Sequence, residues 1–468
     1  TTNPKDIEGY ILKATPSNAS GTAGDTDITV TYVYQKLYTV RYQSDNYGKI
    51  TGKEAEEVID NNNPTGTTES SNTGYHLTYW TANKDVSLED GTKKTSGTSL
   101  TMNEIKTVVI TEDITFTAHH EINKYTVRYE SDSNGKVTGI TNETVNYNNN
   151  PSGTTESSNT GYHLMYWAAN QNVTLKDGST ITQGNPLTIE NIKNVVITED
   201  ITFTAHHEIN KYTVQYTSDS NGKVTGITSE TVNHNNNPSG TTEIPNTGYH
   251  LTYWTANKDL TLEDGTKKTS GTSLTMNEIK TVVVTEDITF TAHHEINKYT
   301  VQYTSDSNGK VTGITNETVN HNNNPSGTTE SSNTGYHLIY WIANKDVSLE
   351  DGTKKTSGTG LTMDEIKTVV VTEDLILTAH HEINKYNITY ESDENGTITG
   401  KTEETIPYEN NPTGTEEVPN PGYCEAKGWV ADKKVELKDG STIEAGSIMT
   451  FEQMQNVMVK EDIIFTVL

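Results

Sequence analysis

The sequence predicts a mainly β chain, α+β in class, made of small tandem domains in which one sheet carries one short helix. Three observations predict it. One phrase recurs every 87 residues, beginning at Tyr38, Tyr125, Tyr212, Tyr299 and Tyr386. Within each copy, apolar and polar residues alternate with period two in short runs separated by Asn, Gly and Pro. Composition allows only thin cores, since hydrophobic residues are 31% of 468, yet 25 Tyr and 5 Trp are too many for a disordered chain.

The period places a leader at 1–36 and repeats at 37–124, 125–211, 212–298, 299–385 and 386–468, the last being divergent and shorter. Trp80, Trp167, Trp254 and Trp341 keep the spacing, and Trp429 falls one residue late through an insertion. One large aromatic per copy at a fixed place is expected to be core, so all five tryptophans are assigned there.

The second repeat shows each element in order. Tyr125-Thr-Val-Arg-Tyr-Glu130 alternates as a half-buried strand. Asn134-Gly135 suits the positive φ angles of a tight hairpin turn. Lys136 to Tyr147 is expected to return as a second strand, bulged near Gly139. Asn148 to Gly153 is too rich in turn formers for regular structure. His163 to Trp167 forms a third strand, and Asn172 to Gly178 another strand and turn. A short helix follows, because Thr101-Met-Asn-Glu104, Thr275-Met-Asn-Glu278 and Thr362-Met-Asp-Glu365 have capping-box spacing. The second repeat has Asn191 in place of that Glu. Asp200 to Ala205 alternates as the closing strand. The expected core is Tyr125, Val127 and Tyr129, then Ile201 and Phe203, then Trp167 with Ile189 or Ile192.

At each junction Ala-His-His-Glu-Ile-Asn-Lys leads straight into the next Tyr. Nothing there is a flexible linker, so consecutive domains are expected to hold a preferred orientation in an elongated rod. At roughly 30–40 Å per domain, five would reach on the order of 150–200 Å.

Charge excludes some partners. The net charge of −29 repels nucleic-acid phosphates and anionic lipid heads. No run approaches the length of a membrane span, so no membrane insertion is expected in this stretch. Cys424 is the single cysteine, which rules out an intrachain disulfide.

Several motifs invite chemistry. His119-His120-Glu121 and its copies beginning at His206, His293 and His380 carry metal-ligand types. Adjacent residues on a strand point to opposite faces, so a polar strand end meeting the next domain is the plainer account. Asp132-Ser-Asn-Gly135 resembles the start of a calcium loop but lacks the distal ligands. An isopeptide bond would need a buried Lys, whereas Lys124 and Asn123 are expected at exposed strand ends. Glu199, Asp200 and Asp177 fall in turn-like contexts, and Cys424 occurs in one copy only. No catalytic residue, metal site or cofactor is expected. Exposed aromatics remain: with the tryptophans inside, Tyr79, Tyr166, Tyr253 and Tyr340 would face out, where they could stack on sugar rings.

The repeat resembles the Listeria–Bacteroides (internalin-type B) repeat. The matching residues in the second copy are Tyr125, Asn134, Gly135, Gly161, Tyr162, Trp167, Asp200, Ile201, Thr202, Phe203 and Ala205. This copy is longer than usual, and only Gly428-Trp429 keeps the family's Gly-Trp. The leader resembles the C-terminal part of a mucin-binding-protein (MucBP) repeat through Ile7–Leu12, Pro16–Gly21 and Asp27–Tyr34. Both resemblances imply a β-grasp-like fold and a non-enzymatic, cell-wall-anchored surface protein of a Gram-positive bacterium. The expected role is a stalk projecting a distal adhesive domain. Multivalent binding to mucin glycans or another host surface is the alternative, and self-association into a filament is a third.

Overall fold

The computed structural model describes residues 1–468. Contacts divide the chain into two units, Thr1–Lys211 with Asn233–Asn235, and Tyr212–Val232 with Asn236–Leu468. The first holds the leader and two repeats, the second three repeats.

Each repeat builds a mixed sheet whose first and last strands lie side by side at its centre. In the second repeat the opening strand (Lys124–Ser131) runs parallel to the closing strand (Ile201–Ile209), with Val127 opposite Ile201 and Tyr129 opposite Phe203. An edge strand (Asn142–Asn146) pairs antiparallel with the opening strand. The tryptophan strand (Tyr162–Ala169) pairs antiparallel with the closing strand. The same order recurs in all five repeats. A parallel pair whose partners, such as Val127 and Ile201, stand 74 residues apart explains why no isolated part of a repeat can form the sheet.

Alternation along these strands sends one set of side chains inward. Val127, Tyr129, Trp167, Ile201, Phe203 and Ala205 form one buried cluster, joined by Ile192 from the helix. Tyr125 and Ile189 lie at its margin, partly buried. The Trp167 ring meets Tyr129 edge-on at 6.2 Å between centroids, an arrangement that suits the two ring quadrupoles. Equivalent clusters fill the other repeats.

The helix is a single turn, Ile189–Ile192, and its cap survives the missing glutamate. Thr188 Oγ1 accepts from the Asn191 N–H at 3.1 Å, and Asn191 Oδ1 accepts from the Thr188 N–H at 2.9 Å. Asn191 therefore does the work of Glu104, Glu278 and Glu365.

The structure corrects three local expectations. The one sheet is accompanied by two small ribbons, Gly135–Val137 with Glu156–Ser158, and Val173–Thr174 with Thr180–Ile181. The stretch from Lys136 to Tyr147 is accordingly two strands with different partners. No hairpin forms at Asn134-Gly135: neither residue has positive φ, and the flanking strands do not pair with each other. The chain turns instead through Asp132, whose Oδ1 accepts from the Asn134 N–H at 2.9 Å.

The leader passes into the first repeat along one continuous strand, Val33–Ser44, whose Val33–Lys36 pair with the leader strand Tyr10–Ala14 and whose Leu37–Ser44 pair with the repeat. The division expected after residue 36 therefore falls inside a strand. Only Ala19 of the leader is a buried hydrophobic residue.

At the junction of the first two repeats one residue, Asn123, separates the closing strand (Ile114–Ile122) from the next opening strand. Asn123 is half-buried rather than exposed, because its backbone and side chain tie three segments together. Its N–H donates to Gly74 O at 2.8 Å, and its C=O accepts from the Tyr147 N–H at 2.8 Å. Its Oδ1 lies 2.8 Å from His76 Nδ1. A side chain on Gly74, at φ 85°, would overlap the Tyr147 ring that lies against it. Asn297 and Asn384 make the same bonds, to Gly248 and His321 and to Gly335 and Tyr408.

Candidate functional site

The His-His-Glu triplet sits on the closing strand, where alternation sends its two histidines to opposite faces. The second, His120, His207, His294 or His381, has a fully buried ring. It is not the polar strand end that the sequence suggested. In the first repeat His120 Nδ1 lies 2.8 Å from Asp45 Oδ1 and Nε2 lies 2.8 Å from Glu69 Oε2. The His120 backbone N–H donates to Asp45 Oδ2 at 2.7 Å. The other three copies repeat these contacts with Asp132 and Glu156, Asp219 and Glu243, and Asp306 and Glu330.

Two carboxylates facing both ring nitrogens require both nitrogens to donate, which is the imidazolium form. Burial opposes that charge, but the bonds to Glu69 and Asp45 outweigh it, and the His120 pKa is raised. His207, His294 and His381 are raised for the same reason. Burial works against the Asp45 carboxylate too, yet the backbone N–H groups of His120 and Tyr47 and the His120 ring lower its pKa. The ring also explains the glycine of Asp-Ser-Asn-Gly. A Cβ on Gly48, Gly135, Gly222 or Gly309 would overlap the imidazole. Close approach, not turn geometry, demands a glycine there.

A second buried polar network ties the edge strand to the loop that follows it. Tyr42 Oη donates to Glu56 Oε1 at 2.6 Å, and the Thr65 and Gly66 N–H groups donate to the same carboxylate oxygen at 3.0 and 3.1 Å. Burial works against the Glu56 charge, but these bonds, with Thr65 and Lys53, hold its pKa at about 2. Burial and the Glu56 contact both push the Tyr42 phenol upward.

The first histidine of each triplet faces outward beside the tyrosine that precedes the tryptophan. Trp80, Trp167, Trp254, Trp341 and Trp429 are all buried, at most 5% exposed. Tyr79, Tyr253 and Tyr340 are each 38% exposed, and Tyr166 is half-buried. The Tyr79 and His119 rings stack at 4.9 Å and 25°. Tyr253 with His293 stacks at 5.0 Å and 27°, while Tyr166 with His206 and Tyr340 with His380 are tilted pairs. This ring pair was not foreseen, although both residues recur at the 87-residue spacing. A register shift between Leu77 and Tyr79, opposite His119 and His120, brings the rings together.

The remaining candidates do not converge. No group of three or more His, Cys, Asp or Glu side chains is arranged to hold a metal ion. Both Asp132 oxygens are engaged by His207 and Asn134, so the calcium-like motif is a histidine clamp. Lys124 is exposed. Asp200 Oδ1 accepts from the Thr126 N–H at 2.7 Å, and Asp177 Oδ1 accepts from the Ser179 N–H at 2.9 Å. They are two separate structural carboxylates. Glu199 and Cys424 are exposed.

The fold and these sites define a tandem array of small β-rich domains whose internal chemistry is structural. Segments 38–124, 125–211, 212–298 and 299–385 match the divergent InlB B-repeat domain, about three quarters of the chain, and the chain belongs to that family. Residues 1–35 match the MucBP domain. Both are families of non-catalytic domains typical of Gram-positive surface proteins. Internalin J of Listeria monocytogenes serotype 4b (strain F2365) is 46% identical over 54 residues, 11% of this chain and 6% of that protein. The chain thus covers a small part of that relative.

Proposed function

We propose that this chain is the spacer of a cell-wall-anchored surface protein, holding a distal adhesive domain away from the cell. The observation that carries this reading is the one-residue junction. A closing strand passes through Asn123, Asn297 or Asn384 into the next opening strand, and each asparagine is bonded to both neighbours. Such a junction resists bending better than a coil linker, and repetition then adds length. The buried Asp–His–Glu networks of repeats 1 to 4 and the Tyr–Glu networks serve the same end, since each adds stability within its own repeat.

Small-angle scattering of the chain tests the reading. The expected maximum dimension is on the order of 150–200 Å. A radius of gyration near the globular value of about 23 Å would overturn it. Sedimentation at several concentrations separates this spacer from a self-assembling filament, which would grow with concentration.

A further inference from the structure

We propose that the junction between repeats 3 and 4 is a hinge that mild acid opens, with His321 as the group that takes up the proton. This goes beyond the spacer reading and is tested separately from it. Asn297 donates its N–H to Gly248 O and accepts at its C=O from the His321 N–H, both at 2.8 Å. The His321 ring then lies back over Gly248, so closely that a Cβ there would overlap Cδ2 and Nε2. Ring and glycine belong to different repeats, so this contact ties repeat 4 to repeat 3. On the other edge of the ring, Nδ1 is buried without a hydrogen-bond partner, and the Tyr299 ring lies tilted at 6.0 Å between centroids.

A neutral imidazole fits this setting with its proton on Nε2. The imidazolium carries an N–H at both nitrogens, and Nδ1 has no acceptor to meet it. The charged ring therefore favours water. In turning out it uncovers Gly248 and the two backbone bonds through Asn297. His294, inside repeat 3, stands in the opposite situation, with a carboxylate at each ring nitrogen. Acid thus loosens the junction while the buried clamps keep the repeats themselves folded.

The other titratable groups around the ring are shared with a junction that lacks the histidine. Tyr299 faces it from the opening strand, His250 lies opposite Glu295 and reaches Asn297 Oδ1 at 2.7 Å, and Lys298 stands opposite Asn320. Tyr125, His76, Glu121 and Lys124 are their counterparts between repeats 1 and 2, where Tyr147 covers Gly74. Between repeats 4 and 5, Tyr408 covers Gly335 with Glu409 and Lys460 beside it. Asn322 and Thr372, both uncharged, hold those two places next to His321. Of these three junctions, the acid response is assigned to the one with the imidazole.

Hydrogen exchange of the whole chain reads the hinge as protection of the Asn297 and His321 amides relative to an unstructured chain. The open form binds the extra proton, so the closed form loses ground as pH falls. A closed ring that takes no proton, and an open ring that takes one at the ordinary imidazole value of about 6.5, give a roughly tenfold loss of protection between about pH 7.5 and 5.5. The Asn123 and Tyr147 amides of the first junction should lose none. His321→Tyr should abolish the response, and Tyr147→His should create it at the first junction. Protection kept at Phe290 and Val301, in the two cores, establishes that repeats 3 and 4 stay folded in acid. The proposal is overturned if the His321 junction keeps its protection in acid, or if His321→Tyr leaves the loss in place. Equal loss at the first junction of the natural chain would do the same, as would a Tyr147→His junction that stays insensitive to acid.

Discussion

The buried histidine gives the sharpest test of how these repeats are held together. In repeat 3, His294→Ala removes a ring whose nitrogens lie 2.9 Å from Asp219 Oδ1 and 2.7 Å from Glu243 Oε2. Each charge-assisted bond is worth roughly 1.5–3 kcal/mol. The two carboxylates retain partial access to water, which favours the lower end, so the pair contributes about 3 kcal/mol. A domain of this size loses about 4–8 °C per kcal/mol, so the transition of repeat 3 should fall by about 12–24 °C. Calorimetry should show one early transition of about one-fifth of the total enthalpy, with the other repeats near their original temperatures. Part of the loss is the cavity left by the ring. A double-mutant cycle with Glu243→Gln isolates the ion-pair share as a positive coupling. The same ring predicts the pH dependence. Its raised pKa gives a contribution that is complete below about pH 6.5 and is lost as pH rises through the folded-state value. The lowered pKa of Asp219 gives a contribution present above about pH 3.9 and lost as pH falls through its folded-state value. Repeats 1 to 4 should therefore be most stable between about pH 4 and 6.5. If ¹⁵N spectra at pH 6 show one unprotonated ring nitrogen at His294, or if His294→Ala moves no transition, the reasoning is wrong.

Three further outcomes follow from the same contacts. Between pH 6.5 and 9, thermal scans should show repeats 1 to 4 losing stability while repeat 5, which contains no histidine, holds its transition. Gly135→Ala should destabilise repeat 2 by about 2–3 kcal/mol, because the new Cβ overlaps the His207 ring; His207→Ala in the same chain should relieve most of that added cost, read by chemical denaturation. Trp167→Ala should cost about 3–5 kcal/mol and unfold its own repeat first, seen as loss of hydrogen-exchange protection confined to residues 125–211.

Much of the repeat was legible because its signals are local. Period-two alternation marks Val127 and Tyr129 in the opening strand and Ile201 and Phe203 in the closing one, and burial follows directly from it. Thr101, Thr275 and Thr362 announce the helix start because a cap needs only a hydroxyl three residues before its partner, and in the second repeat Asn191 proved as able as Glu. The adjacent Tyr166 and Trp167 could be divided into outer and inner residues by strand geometry alone. The Asn134-Gly135 pair misled because two demands select the same glycine, positive φ in a turn or room for a neighbouring ring. Only the folded chain distinguishes them.

The sequence by itself determined the repeat, its period, the strand faces and the lack of disulfide support, because each of these depends on neighbours a few residues apart or on simple recurrence. Tertiary structure alone decided the rest. His120 finds Asp45 and Glu69 across 75 and 51 residues, and a hydrogen bond over such a span leaves no periodic trace in the sequence. The ribbons, the junction clamps at Asn123, Asn297 and Asn384, and the pairing of Tyr253 with His293 have the same origin. A register shift or a parallel strand pairing brings distant polar groups within 3 Å, and its selection rests on the packing of the whole repeat.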